Sequence, residues 1–238
     1  MPLRFLPRPG AALAAALLCS CAVTPRPAGI VTAPAAGERA LQTQAARKIV
    51  RELAARRTRF LTTGDLREVL SVVSFHTTTA ILERVEKGAV SDGDLILEMI
   101  VDFYGDYDRN RSPAGREPHW QPYYMLAAEA KAPDFKTGRK LMQRGVEAHI
   151  DYDMPQVLMR LFQRHPELRG ERLEKFKTTL ESFNDLFLPC AVRGFQDLAT
   201  VLPNAPGARG IFFQSRAARV IVTRKRHRAW LRAAETLR

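Results

Sequence analysis

Cysteine is scarce in this chain: there are three in 238 residues, and two of them, Cys19 and Cys21, lie in the first 21. If that leader is removed only Cys190 remains, so the body of the chain is not a disulfide scaffold. No apolar run reaches the roughly 20 residues that a membrane-spanning helix needs. G-x-S-x-G, a phosphate-cradling glycine loop, C-x-x-C and H-E-x-x-H are all missing, which removes the usual grammars of serine hydrolases, nucleotide binding, dithiol redox chemistry and zinc proteases. Acids are outnumbered, 25 Asp and Glu against 37 Lys and Arg, for a net charge of +12. Such a balance favours anionic partners, namely lipid head groups, cell-wall polymers or nucleic acid, although a basic surface is also compatible with having none. No segment alternates apolar and polar residues between hairpin turns, so strands are not expected.

Residues 1–21 have the parts of an export signal. Arg4 and Arg8 form a short basic region, Gly10 to Leu18 an apolar run, and small residues follow. Leu18-Cys19-Ser20-Cys21 resembles the lipobox of bacterial lipoproteins, which implies lipidation of Cys21 as the new N-terminus; an ordinary cleaved signal peptide is the other reading. Ala22 after that cysteine is similar to lipoproteins sent on to the outer membrane, where the domain would face the periplasm. Loss of Arg4 and Arg8 lowers the net charge from +12 to +10. Residues 22–37, rich in Pro, Ala and Gly without a hydrophobic period, read as a flexible tether. Residues 38–238 then form the domain.

Within that domain the apolar residues recur at helical spacing. Leu41, Ala45, Ile49, Leu53 and Phe60 trace a helix whose other faces carry Lys48, Arg51, Arg56, Arg57 and Arg59. A second runs from Leu66 to Gly88, and a third, carrying Leu95 to Tyr107, starts at a Ser91-Asp92 cap. A short aromatic helix through Trp120, Tyr123 and Tyr124 precedes a central helix, Glu171 to Leu188 makes another, and a basic one occupies Ile211 to Leu237. The expectation is a single all-α domain of about seven helices. Pro155 has no N–H for the carbonyl of Asp151, so the central helix is expected to be bent or broken there.

That central helix carries the chemistry. At 100° per residue Met142, Val146, Ile150, Met154, Val157 and Leu161 share one arc, with Asp153 and Glu147 inside it and His149 at its edge. His149 and Asp153 are four residues apart and hence neighbours on one surface. Ionisable groups facing a core must be paired, protonated or metal-bound. Two readings stay open. Asp153 and His149 form a structural or ligand-binding polar centre, or they are part of a divalent-metal site completed by His76, Asp102 and Asp106, with a metal-bound water attacking an ester or phosphoester.

Four patches also match a known pattern. Gly145 to Met154 resembles the G-x-N-A-H-I-x-x-D-L signature of an uncharacterised bacterial all-helical family, and Phe103 to Tyr107, Phe183-Asn184 and Arg226-x-x-Ala229-Trp230 are similar to further patches of it in the same order. Glu147 stands where that pattern has Asn. The resemblance implies an all-helical fold and adds Asn184 and Arg226 to the polar centre of Glu147, His149 and Asp153; it implies no activity. Cys190, next to Pro189 among aromatic residues, reads as a packed small residue and not a nucleophile. A third functional reading starts from Arg216, Arg219, Arg224, Lys225, Arg226, Arg228 and Arg232, a cationic helix suited to anionic lipid or envelope polymer. Export argues against nucleic acid as a natural partner.

Overall fold

The computed structural model describes residues 36–237, all of whose regular structure is helical. The expected leader, lipidation site and most of the tether lie outside these residues. Helix α1 (Ala36–Thr63) begins two residues inside the expected tether. It buries Ala46, Ile49, Leu53 and Phe60, a stripe at the expected helical spacing. Gly64, at φ +68°, ends it by donating its N–H to the carbonyl of Phe60 at 2.8 Å. Asp65 then caps the next turn by accepting the N–H of Arg67 at 3.1 Å.

The chain continues through α2 (Val69–Glu86), α3 (Gly93–Arg111), α4 (Gln121–Glu129), α5 (Phe135–Val146), α6 (Met154–Arg164), α7 (Gly170–Glu181), α8 (Phe187–Val201) and α9 (Ala208–Glu235). Helix α2 packs between α1 and α8, α3 lies against α1 and α6, and α9 crosses α6 and α8. One hydrophobic cluster runs through all of them, with Phe60, Tyr107, Trp120, Tyr123, Phe162, Phe176 and Phe183 fully buried. No described helix is long and apolar enough to cross a membrane.

Three expectations are refined. Helix α8 is additional: Pro189 sits in its first turn, where its missing N–H leaves no bond unmade. Asp92 does not cap α3 with its side chain; it accepts instead from Thr179 Oγ1 at 3.0 Å, joining the start of α3 to α7. The central element is neither one α-helix nor broken at Pro155. Helices α5 and α6 are joined without interruption by a π-helical turn, Glu147–Asp153, and Pro155 is in the first turn of α6. The turn widens so that Met154 donates to the carbonyl of His149, five residues back.

Candidate functional site

The π turn delivers Asp153 to the interior, where only 2% of its surface is exposed. Its carboxylate accepts from His149 Nδ1 at 3.0 Å, from His119 Nε2 at 2.8 Å and from Trp120 Nε1 at 3.2 Å. Burial alone would push this carboxyl up, but the hydrogen bonds and charges of His149 and His119 outweigh it and hold Asp153 below the usual carboxylate range. An ionised acceptor fixes the tautomers: His149 must present Nδ1–H and His119 Nε2–H. The face of His149 lies on Phe103 with ring centroids 3.7 Å apart, and Tyr107 and Trp120 stand around it. Its Nε2 has no hydrogen-bond partner among the described residues. His119 stacks on the exposed ring of Tyr152 at 4.8 Å.

His149 is also part of the wall of a cavity of about 500 Å³. The other walls are mostly apolar, with Ile49 and Leu53 from α1, Val73 and Ile81 from α2, Ile96 and Ile100 from α3, Phe195 from α8 and Val222 from α9. Polar side chains interrupt this wall: Ser74, Thr77 and Thr78 on α2, Arg139 and Gln143 on α5, His149 on the π turn, and Gln214, Arg219, Lys225 and Arg226 on α9. Arg226 Nη1 donates to Asn184 Oδ1 at 2.7 Å and Nη2 to the carbonyl of Leu180 at 2.9 Å, with the guanidinium 4.8 Å from the centre of the Phe187 ring. Burial lowers its pKa to about 10, against a smaller opposing effect of Glu181.

The expected site residues thus separate into groups. His149 and Asp153 meet as the four-residue spacing requires. Asn184 and Arg226 meet each other in a direct hydrogen bond, only Arg226 of the two lining that cavity, and Arg226 has neutral acceptors only. Glu147 is not in the centre: it bonds Gln143 and Arg144, both at 3.1 Å, on the outside of the helix. A helical wheel places it inward only because an α-helical advance is carried through a wider turn. The metal set is not assembled either. His76 bonds Asp197 at 2.8 Å, Asp102 pairs with Arg164 at 2.8 Å, and Asp106 pairs with Arg160 at 2.7 Å and Arg109 at 2.9 Å. Among the described residues no three His, Cys, Asp or Glu side chains are grouped to hold a metal ion. Cys190 is buried, donates to the carbonyl of His76 at 3.4 Å and has its thiol pushed up by burial.

His119 and Trp120 are the partners that sequence spacing did not reveal. They reach Asp153 from a turn 34 and 33 residues earlier in the chain. The one local signal is that Pro118-His119-Trp120 places a histidine beside a tryptophan at the head of an aromatic helix. Gly145 has a packing reason: a Cβ there would meet both methyl groups of Leu70 at 3.0 Å, so the residue sets how closely α5 approaches α2. Trp230 packs edge-on against Phe162 and beside Phe176.

A family model, described as a family of unknown function (DUF5995), matches residues 46–238. No curated protein and no solved structure matches.

Proposed function

We propose, from the premise that the chain belongs to the DUF5995 family and takes no activity from that membership, that it is a ligand-binding lipoprotein domain of the cell envelope. Its cavity holds an apolar or amphiphilic small molecule against the His149 imidazole. The carrying observation is about 500 Å³ of apolar space in the middle of the helices. Packed interiors have few voids larger than a water molecule, and apolar walls give water no partners, so a cavity of this kind favours an apolar occupant. Asp153 holds His149 by Nδ1–H, which leaves Nε2 as an acceptor for a hydroxyl or acid proton of that occupant. The test is Nile red fluorescence with the intact protein and with Ala218→Phe, which fills the cavity from α9. Bright binding by wild type and its loss in the variant are expected; dark wild type, or equal binding by both, overturns the reading.

The envelope address rests on the leader and on Cys21. An acylated N-terminal Cys21 peptide in the membrane fraction is the expected mass-spectrometric result, and an unmodified N-terminus elsewhere overturns that part alone. Acid/base chemistry by His149 on a bound ester has its unpartnered Nε2 in support. Metal-assisted hydrolysis lacks a ligand set among the described residues.

A second reading, docking on an anionic bilayer, is favoured by the outer face of α9. Phe212, Phe213, Val220, Ile221 and Leu231 are 45–56% exposed there between the exposed Arg209, Arg216, Arg219, Arg224 and Arg228, and the helix contains no acid before Glu235. The set is smaller than the sequence suggested, since Lys225 pairs with Asp151 and Arg226 turns inward. Arg56 and Arg57 of α1 are likewise engaged, by Asp108 and Asp197. Binding to anionic vesicles that fades steeply with salt supports docking; equal binding to neutral vesicles rejects it.

A further inference from the structure

We propose that Arg226 is the head-group site of the cavity, and that the ligand is a single-chain amphiphile bearing a carboxylate. The inference rests on the cavity reading above and narrows it to a ligand class. A guanidinium has five N–H donors. Two of those on Arg226 go to Asn184 Oδ1 and the carbonyl of Leu180, both neutral, and the other three find no acceptor among the described residues. No carboxylate among those residues forms an ion pair with it, although its neighbour Lys225 has one in Asp151. Arg226 is half-buried and feels Glu181 only from beyond ion-pair distance, so its charge is incompletely matched, and an arginine fixed by two neutral bonds offers the planar pair of donors that a carboxylate accepts.

The shape of the site selects a chain. Along α9 the lining extends from Phe213 and Gln214 to Arg226, twelve residues from Gln214 and so about 18 Å along the axis. The wall is mostly aliphatic and aromatic, with Thr77, Thr78 and Gln143 among its polar members, so the apolar part of the ligand lies along it while the acid sits at Arg226. Gln214 Oε1 at the far end is buried without a partner, a place for a polar group at the chain's other terminus. Phe213 is exposed at that end, and Arg219 and Ile221 are exposed further along the same helix towards Arg226, which makes this stretch the mouth.

The test compares dodecanoate with dodecanol, which share a chain and differ in the head, as competitors of Nile red in the intact protein. Dodecanoate is expected to bind about tenfold more tightly than dodecanol, as a charge-assisted pair implies. Arg226→Gln removes that preference and leaves dodecanol binding within about twofold, while Arg226→Lys retains part of it. Equal binding of the two by wild type overturns the head-group assignment and leaves the cavity reading standing, an outcome that needs no variant to fold. A preference that survives Arg226→Gln but disappears in Arg219→Gln puts the acid at the mouth and also overturns it. If neither compound displaces the dye, the cavity reading itself fails.

Discussion

Two buried aspartates each hold a histidine, and the rest of their surroundings makes them different devices. Asp197 of α8 accepts both arms of Arg57 from α1 at 2.6 Å and Nε2 of His76 from α2 at 2.8 Å. Its counter-charge is an arginine, which does not deprotonate, so a permanent cation helps to tie α8 to α1 and α2. Neither Asp197 nor His76 lines the large cavity. Asp153 has no arginine. Two imidazoles and an indole satisfy it, and one of those imidazoles borders the cavity. The same acid–histidine contact is therefore backed by a permanent cation in one place and, in the other, by imidazole and indole donors beside the cavity. The difference is the permanent cation.

Replacing each aspartate by asparagine breaks or sharpens the comparison. Asp197→Asn should have the largest effect, about 3 kcal/mol, because it strands the Arg57 charge; the partial exposure of Arg57 keeps the loss at the low end for a broken buried pair. Asp153→Asn should cost less, about 1–2 kcal/mol. Asparagine retains one acceptor, and a neutral histidine can move its proton to the other nitrogen and accept from the amide, so no charge is stranded. Urea midpoints of the two variants check the order, and a reversed order removes the distinction between the two sites. Both carboxyls are held below the ordinary aspartate value of 3.8, for which burial works against the charged partners and loses. The stability each contributes is therefore complete above the unfolded value and is lost as pH falls through the folded one. Each variant should show a shallower acid limb than wild type below about pH 4; an unchanged limb in Asp153→Asn means that its carboxyl is already neutral.

Much of this was legible in the chain. Helical periodicity located α1, α2 and α3, although α2, packed between α1 and α8, buries Val69 to Val72 in succession and not one stripe, and the four-residue spacing joined His149 to Asp153. Pro155 marked an irregularity at the right place but not its kind: a lost N–H signals a break, whereas a widened turn absorbs it and rotates its residues. That rotation is why Glu147 was misplaced. His119 stayed hidden because its contact is made by folding across 34 residues, and no local period carries such information. The cavity was hidden for a related reason. Its lining comes from apolar stripes that look like any other core, and a stripe does not say whether the facing stripes meet.

Glu147 supplies the smallest effect and the control. Of the two acids expected in the polar centre, Glu147 is the one left on the outside, where its carboxylate meets Arg144 Nη1 and Gln143 Nε2, both at 3.1 Å. The Arg144 side chain is 56% exposed and that of Glu147 27%, so water screens the pair and the bond adds little. Glu147→Gln keeps the length of the side chain and its helical preference, removes the charge, and still offers an acceptor oxygen to Arg144. The stability change should stay within about 0.5 kcal/mol in either direction, and dodecanoate binding should not alter. A loss as large as that of Asp153→Asn would mean that acids on this turn act through net charge wherever they point. The contrast drawn from Asp153 and Asp197 would then fail, because it requires burial and partners to decide what a carboxylate does.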